Sequence, residues 1–313
     1  MQWLPYALAY AGIAIFVAAV IARIVMWAKM PMHLRWELYP VAHEGKRADY
    51  GGSYLEDADW WKKPREFSLL GELKVMVPEM MFLVALREHN PKLWRRSFPF
   101  HFGLYLVIVC TLLMMGTALI GTVSASIAEG PLGGILQYLS LGCGTVGLAL
   151  GIFGALGLLH RRLSDPALKQ FAAPADIFNL VFFVVVFGFA LASTVVADPD
   201  FSTTMAFVRG LVTFSVAPVH GEGWGALLPS ISAVLLAALV AYIPLTHMSH
   251  FVGKYFAYHA IRWNDEPNLR GGADEAKINL LLDKPVSWAA PHIQGDGRKT
   301  WVDLATEKME STK

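Results

Sequence analysis

The sequence predicts an all-α integral membrane protein with five transmembrane helices. Three observations lead there. Of 313 residues, 55% are hydrophobic and 16% charged, and the mean hydropathy is +0.44, a balance foreign to water-soluble domains of this length. Five apolar runs each reach the length of about 20 residues that a helix needs to cross a bilayer. The basic residues also fall on alternate connections, as the positive-inside rule requires of an ordered set of spans.

The first span covers 4–28, with Arg23 close enough to one end to extend its head group into water. MQWLPYALAY has neither a basic leader region nor a small-residue cleavage site, so it reads as a retained helix rather than a signal peptide. The second span covers 98–122, the third 132–159, the fourth 176–197 and the fifth 227–252. Twelve Lys and Arg fall in 29–97, and Arg161, Arg162 and Lys169 fall in 160–175. The 123–131 connection has no Lys or Arg, and 198–226 has only Arg209. The two basic connections and the tail are therefore expected in the cytoplasm and the N-terminus outside.

Between the first and second spans, 29–97 is the largest non-membrane piece, rich in Trp and Tyr, with a turn at Gly51-Gly52. Its run VMVPEMMFLVAL (75–86) is too short to span and predicts an interfacial or partner-docked helix. The tail after 252 is polar and broken by GG, PN and GDG, too small for a good core of its own. The expected organisation is a first transmembrane helix at 1–28, a cytoplasmic insertion with an interfacial helix at 29–97, a four-helix bundle at 98–252 and a cytoplasmic tail at 253–313. In the third span, Gly144, Gly147, Gly151 and Gly154 form a stripe that predicts close helix packing; the other reading is room for a flat macrocycle.

Chemistry inside a bilayer depends on its few polar side chains, so the ten histidines carry the argument. His101 lies just inside the start of the second span. His160 ends the third. His247 and His250, in PLTHMSHF, end the fifth. All four fall on the cytoplasmic side. His33, His43, His89, His259 and His292 lie in cytoplasmic segments, and His220 alone lies in an outer loop. A haem b held by two imidazoles needs ligands at matched depth on two helices. His101 sits about three residues into its span and His250 about two residues from the end of an antiparallel one. At a rise of about 1.5 Å per residue the depths agree within a few ångströms. His101 and His250 are the expected iron ligands, with His247 as the alternative for the second. Arg95, Arg96, Arg161, Arg162 and Lys254 could pair with propionates at that end. The last four spans then form the haem-binding bundle. One haem is expected and two stay open, with His160 and His247 as extra ligands, or His220 or a methionine such as Met114, Met115 or Met205 on the outer side.

Two cysteines, Cys110 and Cys143, form no CxxC, so this chain supplies no iron–sulfur or zinc site. A net charge of +1 gives no footing for nucleic acid. The span centres lack Asp, Glu and Lys, which argues against a transporter. A non-redox anchor remains the rival reading, but it has no use for His101, His247 and His250 at one depth.

Five spans, a histidine opening the second and the ending IPLTHMSHFVGKY resemble the membrane cytochrome b (gamma) subunit of respiratory nitrate reductase over 98–255. On that resemblance His250 takes the place of the cytoplasmic-side haem ligand and His101 that of its partner. The insertion, with HLRWELYPVAHEG and GGSYLEDADWWKKPREF, is more similar to the relatives that accompany heterodisulfide-reductase-like iron–sulfur proteins in anaerobes. The resemblance implies electron exchange between the menaquinone pool and a cytoplasmic iron–sulfur partner, with further membrane or periplasmic subunits open. Trp60, Trp61 and Tyr54 are candidate docking anchors, and His160, Asp176, Glu79 and His247 candidate polar groups for a quinone. The gamma subunit binds two haems and oxidises quinol on the outer side. Here the outer positions carry no histidine, a departure that bears on both.

Overall fold

The computed structural model describes residues 3–32, 42, 44, 53–65, 67–217, 223–290 and 293–307. His33, His43, His220 and His292 lie outside the described residues. The chain divides into two compact units, 1–19 with 77–247 and 20–76 with 248–313.

Five helices are long and apolar enough to cross a membrane, so the chain is a multi-pass helical membrane protein. They are α1 (Trp3–Ala28), α4 (Pro91–Val123), α5 (Pro131–Ser164), α6 (Pro174–Val196) and α8 (Trp224–Tyr242). Between α1 and α4 lie α2 (Leu69–Phe82) and α3 (Val84–His89). The run 75–86 is thus split between two helices, with Leu83 in the left-handed region at φ 52°. Proline opens α4, α5 and α6 within the first turn, where its missing N–H costs nothing.

In the first unit α4 packs on α5, α5 on α6 and α6 on α8. The glycine stripe of α5 explains the tightest of these contacts. A methyl added at Gly103 of α4 would lie 2.5 Å from Gly151 N and 2.6 Å from Gly147 O. One added at Gly154 would collide with the Phe100 backbone. Two backbones thus meet where side chains are absent, the usual solution in a membrane without a hydrophobic drive between helices. The stripe makes no room for a macrocycle: Phe201 covers Gly144 and Phe187 covers Gly151. Among the described residues, α4 and α8 make no comparable contact.

The 198–226 connection, expected as a loop, contains a helix, α7 (Ser202–Thr213), that packs on α4. Asp198, 1% exposed, fixes its start. The carboxylate accepts from Thr203 N (2.8 Å), Thr204 N (2.8 Å) and Thr204 Oγ1 (2.6 Å). These satisfy N–H groups that a helix start leaves without partners.

The fifth span is shorter than the expected 227–252. Pro244 has no N–H to continue the helical ladder, and Thr246 turns extended while its hydroxyl donates to Ile243 O (3.1 Å). His247 then lies in a short 3₁₀ turn, His247–Ser249, and His250 begins a separate helix, α9 (His250–Phe256). The two histidines therefore do not lie one turn apart on one span.

In the second unit the insertion and the tail share a core. Tyr258 and Trp263 pack with Ala42, Tyr54 and Met76. Tyr54 Oη donates to Asp265 Oδ2 at 2.7 Å, and Arg65 pairs with the same carboxylate at 3.4 Å. Burial, then the hydrogen bond to Asp265, raises the Tyr54 phenol above its ordinary value. Met32 N donates to Lys277 O (3.3 Å) on α10 (Ala273–Leu282). A two-residue hairpin, β1 (Ala289–Ala290) with β2 (Ile293–Gln294), and α11 (Trp301–Thr306) complete the tail.

Candidate functional site

His101 lies in the third turn of α4, half-buried, with its ring 5.4 Å from Phe100, which in turn meets Phe183 of α6 edge-on at 4.9 Å. Its Nδ1 is 2.8 Å from Ser97 O and 3.3 Å from Ser97 Oγ. A carbonyl only accepts, so Nδ1 carries the proton and Nε2 the lone pair. This is the arrangement by which metal-bound histidines are oriented: one nitrogen donates to a backbone oxygen and the other ligates. Ser97, buried at 8% exposure, is a positioning residue for that ring.

Several cationic side chains share this end of the first unit. Arg95 is exposed, and Arg96 is half-buried beside Gly157 of α5. Arg161 is half-buried at the end of α5. Arg162, one residue further, is committed elsewhere: its guanidinium donates to Asp176 Oδ2 at 2.6 Å. Asp176 also accepts from Ala173 N (3.1 Å) at the start of α6, so it serves first as a helix cap, where negative charge is favoured. Glu79 likewise caps α3, accepting from Ala85 N at 2.8 Å. Both carboxylates proposed for a quinone thus have local structural tasks. His160 is exposed at the end of α5, and His89 is exposed at the end of α3.

His247 joins a polar chain across α6 and α8. Tyr242 Oη donates to Asn179 Oδ1 at 2.7 Å, and Asn179 Nδ2 lies 3.5 Å from His247 Nε2. Asp176 Oδ1 is 3.9 Å from the same nitrogen. Phe178 and Phe182 stand edge-on to the Tyr242 ring at 5.7 and 5.5 Å. Asn179 and Tyr242 escaped the sequence reading, yet Asn179 carried a signal. It is an amide in an otherwise apolar stretch of the fourth span, where a polar group needs a partner.

Two expected site residues lie in the second unit. His250 is exposed at the start of α9. Lys254 Nζ stands 5.9 Å over the Tyr258 ring, a cation–π contact that competes with the expected role toward a propionate. The first unit therefore brings together His101, Arg95, Arg96, His160, Arg161 and His247 at one end, and the second unit holds His250 and Lys254.

The donor set at this end suits a haem: an imidazole oriented by Ser97, with cationic side chains on the same end of the unit. Among the described residues no cluster of three or more His, Cys, Asp and Glu is placed to hold a bare metal ion.

Compared with known proteins, residues 87–264 match the family model described as nitrate reductase gamma subunit. No curated protein and no solved structure matches the chain.

Proposed function

The chain belongs to the nitrate reductase gamma subunit family, whose members are helical membrane cytochrome b subunits that bind haem b, and from this premise we propose that it exchanges electrons between the menaquinone pool and a cytoplasmic iron–sulfur protein resembling heterodisulfide reductase. The observation that carries the reading is the His101 ring, held by Ser97 with Nε2 as the lone-pair nitrogen. Bound haem b would supply a one-electron iron couple.

In this reading His101 and His250 would hold the haem iron, with His247 as the alternative to His250. His250 is favoured by the proline-then-histidine ending, and the engagement of His247 Nε2 with Asn179 and Asp176 supports the same choice. Arg95, Arg96, Arg161 and Lys254 would pair with propionates, and the basic connections support a cytoplasmic position for this end. The chain has only two cysteines, so cluster ligands come from the partner. Trp60 and Trp61 offer aromatic anchors for docking; Trp61 is 49% exposed. Lipid covers the apolar outer faces of the spans, and further membrane or periplasmic subunits complete the assembly.

The test is a reduced-minus-oxidised spectrum of the purified chain with pyridine haemochrome quantification. A Soret change on dithionite reduction is expected, and its absence overturns the reading. His250→Ala is expected to lose the haem and His247→Ala to keep it; full haem in His250→Ala moves the second ligand to His247. Trp61→Ala should weaken co-purification of an iron–sulfur subunit while the haem spectrum stays unchanged.

A further inference from the structure

We infer that the half of the first unit opposite His101 admits no second haem, because α7 and Phe201 occupy its interior, and that this chain carries a single haem. The inference rests on the haem b reading above and concerns what that reading leaves open.

The argument begins with donors. Of the ten histidines, His101, His160, His247 and His250 fall at one end of the spans, and only His220 belongs to the connection at the other. The remaining side chains in that half best able to meet iron are sulfurs: Cys110, Met114 and Met115 of α4, Cys143 of α5 and Met205 of α7. Met115 is 41% exposed and stands outside the packed core. Cys110 (4% exposed), Met114 (6%), Phe201 (4%) and Val208 (8%) form one packed cluster, with Leu141, Cys143 and Met205 against it.

Phe201 is the centre of that cluster. Its ring lies over Gly144 so closely that an added methyl there would be 2.8 Å from two ring carbons and 3.0 Å from Cys110 Sγ. The glycine has yielded its space to a phenyl ring, so a macrocycle has no room between α4, α5 and α7 there; the groove of about 530 Å³ in this half lies on α5 and α6, lined by residues such as Gly142, Thr145 and Thr194, with no His, Cys or Met to meet iron. The insertion is fixed by the backbone. Phe201 adopts φ 61° and ψ 15°, a left-handed conformation costly for a bulky residue and kept only where surroundings over-determine it. They do so here through the Asp198 bonds to Thr203 and Thr204 and through Phe201 O, which accepts from Met205 N at 2.8 Å. Further along α7, Gly210 fits against Tyr6 of α1, and Tyr10 Oη donates to Leu211 O at 2.9 Å. Helix α7 is therefore tied at both ends and packed on α4.

The experiment measures haem per chain for the full-length protein in its own membranes and after purification, with chain quantified independently. One haem per chain and one single-electron transition in a redox titration are expected. Two haems in the wild type overturn this inference and leave the haem b reading standing; none overturns that reading instead. The conservative variants Met114→Leu, Met115→Leu and Met205→Leu, which keep volume, are expected to leave count and spectrum unchanged, as is His220→Ala. Loss of a haem, or a shifted haem band, in any of the four assigns an iron ligand to that half and overturns the inference.

Discussion

The two halves of the first unit are built from the same helices yet have opposite interiors. Both run along the seam where α4 and α5 meet through glycine. The His101 end carries an oriented imidazole, arginines and, across α6 and α8, the polar chain from Tyr242 to His247. At the other end, α7 lies on α4 and Phe201 enters the core. The contrast teaches that a bundle of this type need not be symmetrical in its cofactors. One connection, folded as a helix and tied down by a buried aspartate, is enough to fill the seam between α4 and α5 in that half with packed side chains.

The contrast can be broken most decisively at His101. His101→Ala is expected to remove all haem from the chain, read as loss of the Soret change, whereas Cys110→Ser in the opposite half leaves the spectrum as it was. Next in size is Asp198→Ala. It strips a buried carboxylate from two backbone N–H groups and a hydroxyl, at a cost of about 3 kcal/mol. A lower thermal midpoint in detergent, with haem per chain unchanged in the folded fraction, is the expected result.

Substitutions at glycine test the shared seam. Gly154→Ala drives a methyl into the Phe100 backbone and should cost about 1–3 kcal/mol, with some loss of haem because Phe100 adjoins His101. Gly142→Ala, on the same helix with nothing within 4 Å of the added atom, should be neutral or raise stability by up to about 1 kcal/mol. Equal effects would deny the seam its role. Smallest is Tyr242→Phe, which removes one interhelical hydrogen bond and should cost about 0.6 kcal/mol with haem retained.

Much of the fold was legible in the sequence. Apolar run length marks the spans directly, because a bilayer imposes both length and composition; α4 and α5 run a few residues past the expected limits, while α6 starts earlier than expected and ends at Val196. The glycine stripe was equally plain. Helix α7 was not, since twelve residues lie below any spanning threshold. Its signal was fainter: Phe201, Met205 and Val208 at helical spacing behind Asp198. The shared core of insertion and tail was invisible for a different reason. Tyr54 and Asp265 meet across 211 positions, and a single sequence carries no trace of such a pairing. The fifth span was read through Pro244 to 252, and the separation of His247 from His250 was not foreseen, because Thr246 turns extended through its own backbone conformation. Of the candidate site, His101 was singled out by its depth match to His250, its hydrogen bonds to Ser97 were not foreseen, and Asn179 and Tyr242 acquire meaning only as partners.

The backbone contact between α4 and α5 has a consequence for how such chains diverge. Gly103, Gly147 and Gly151 touch without intervening side chains, so none can gain volume unless its neighbour retreats. The lipid-facing sides of the same helices are free to drift among apolar residues. An alignment of homologues should therefore show these glycines either unchanged or replaced in concert, embedded in helices whose other positions vary widely.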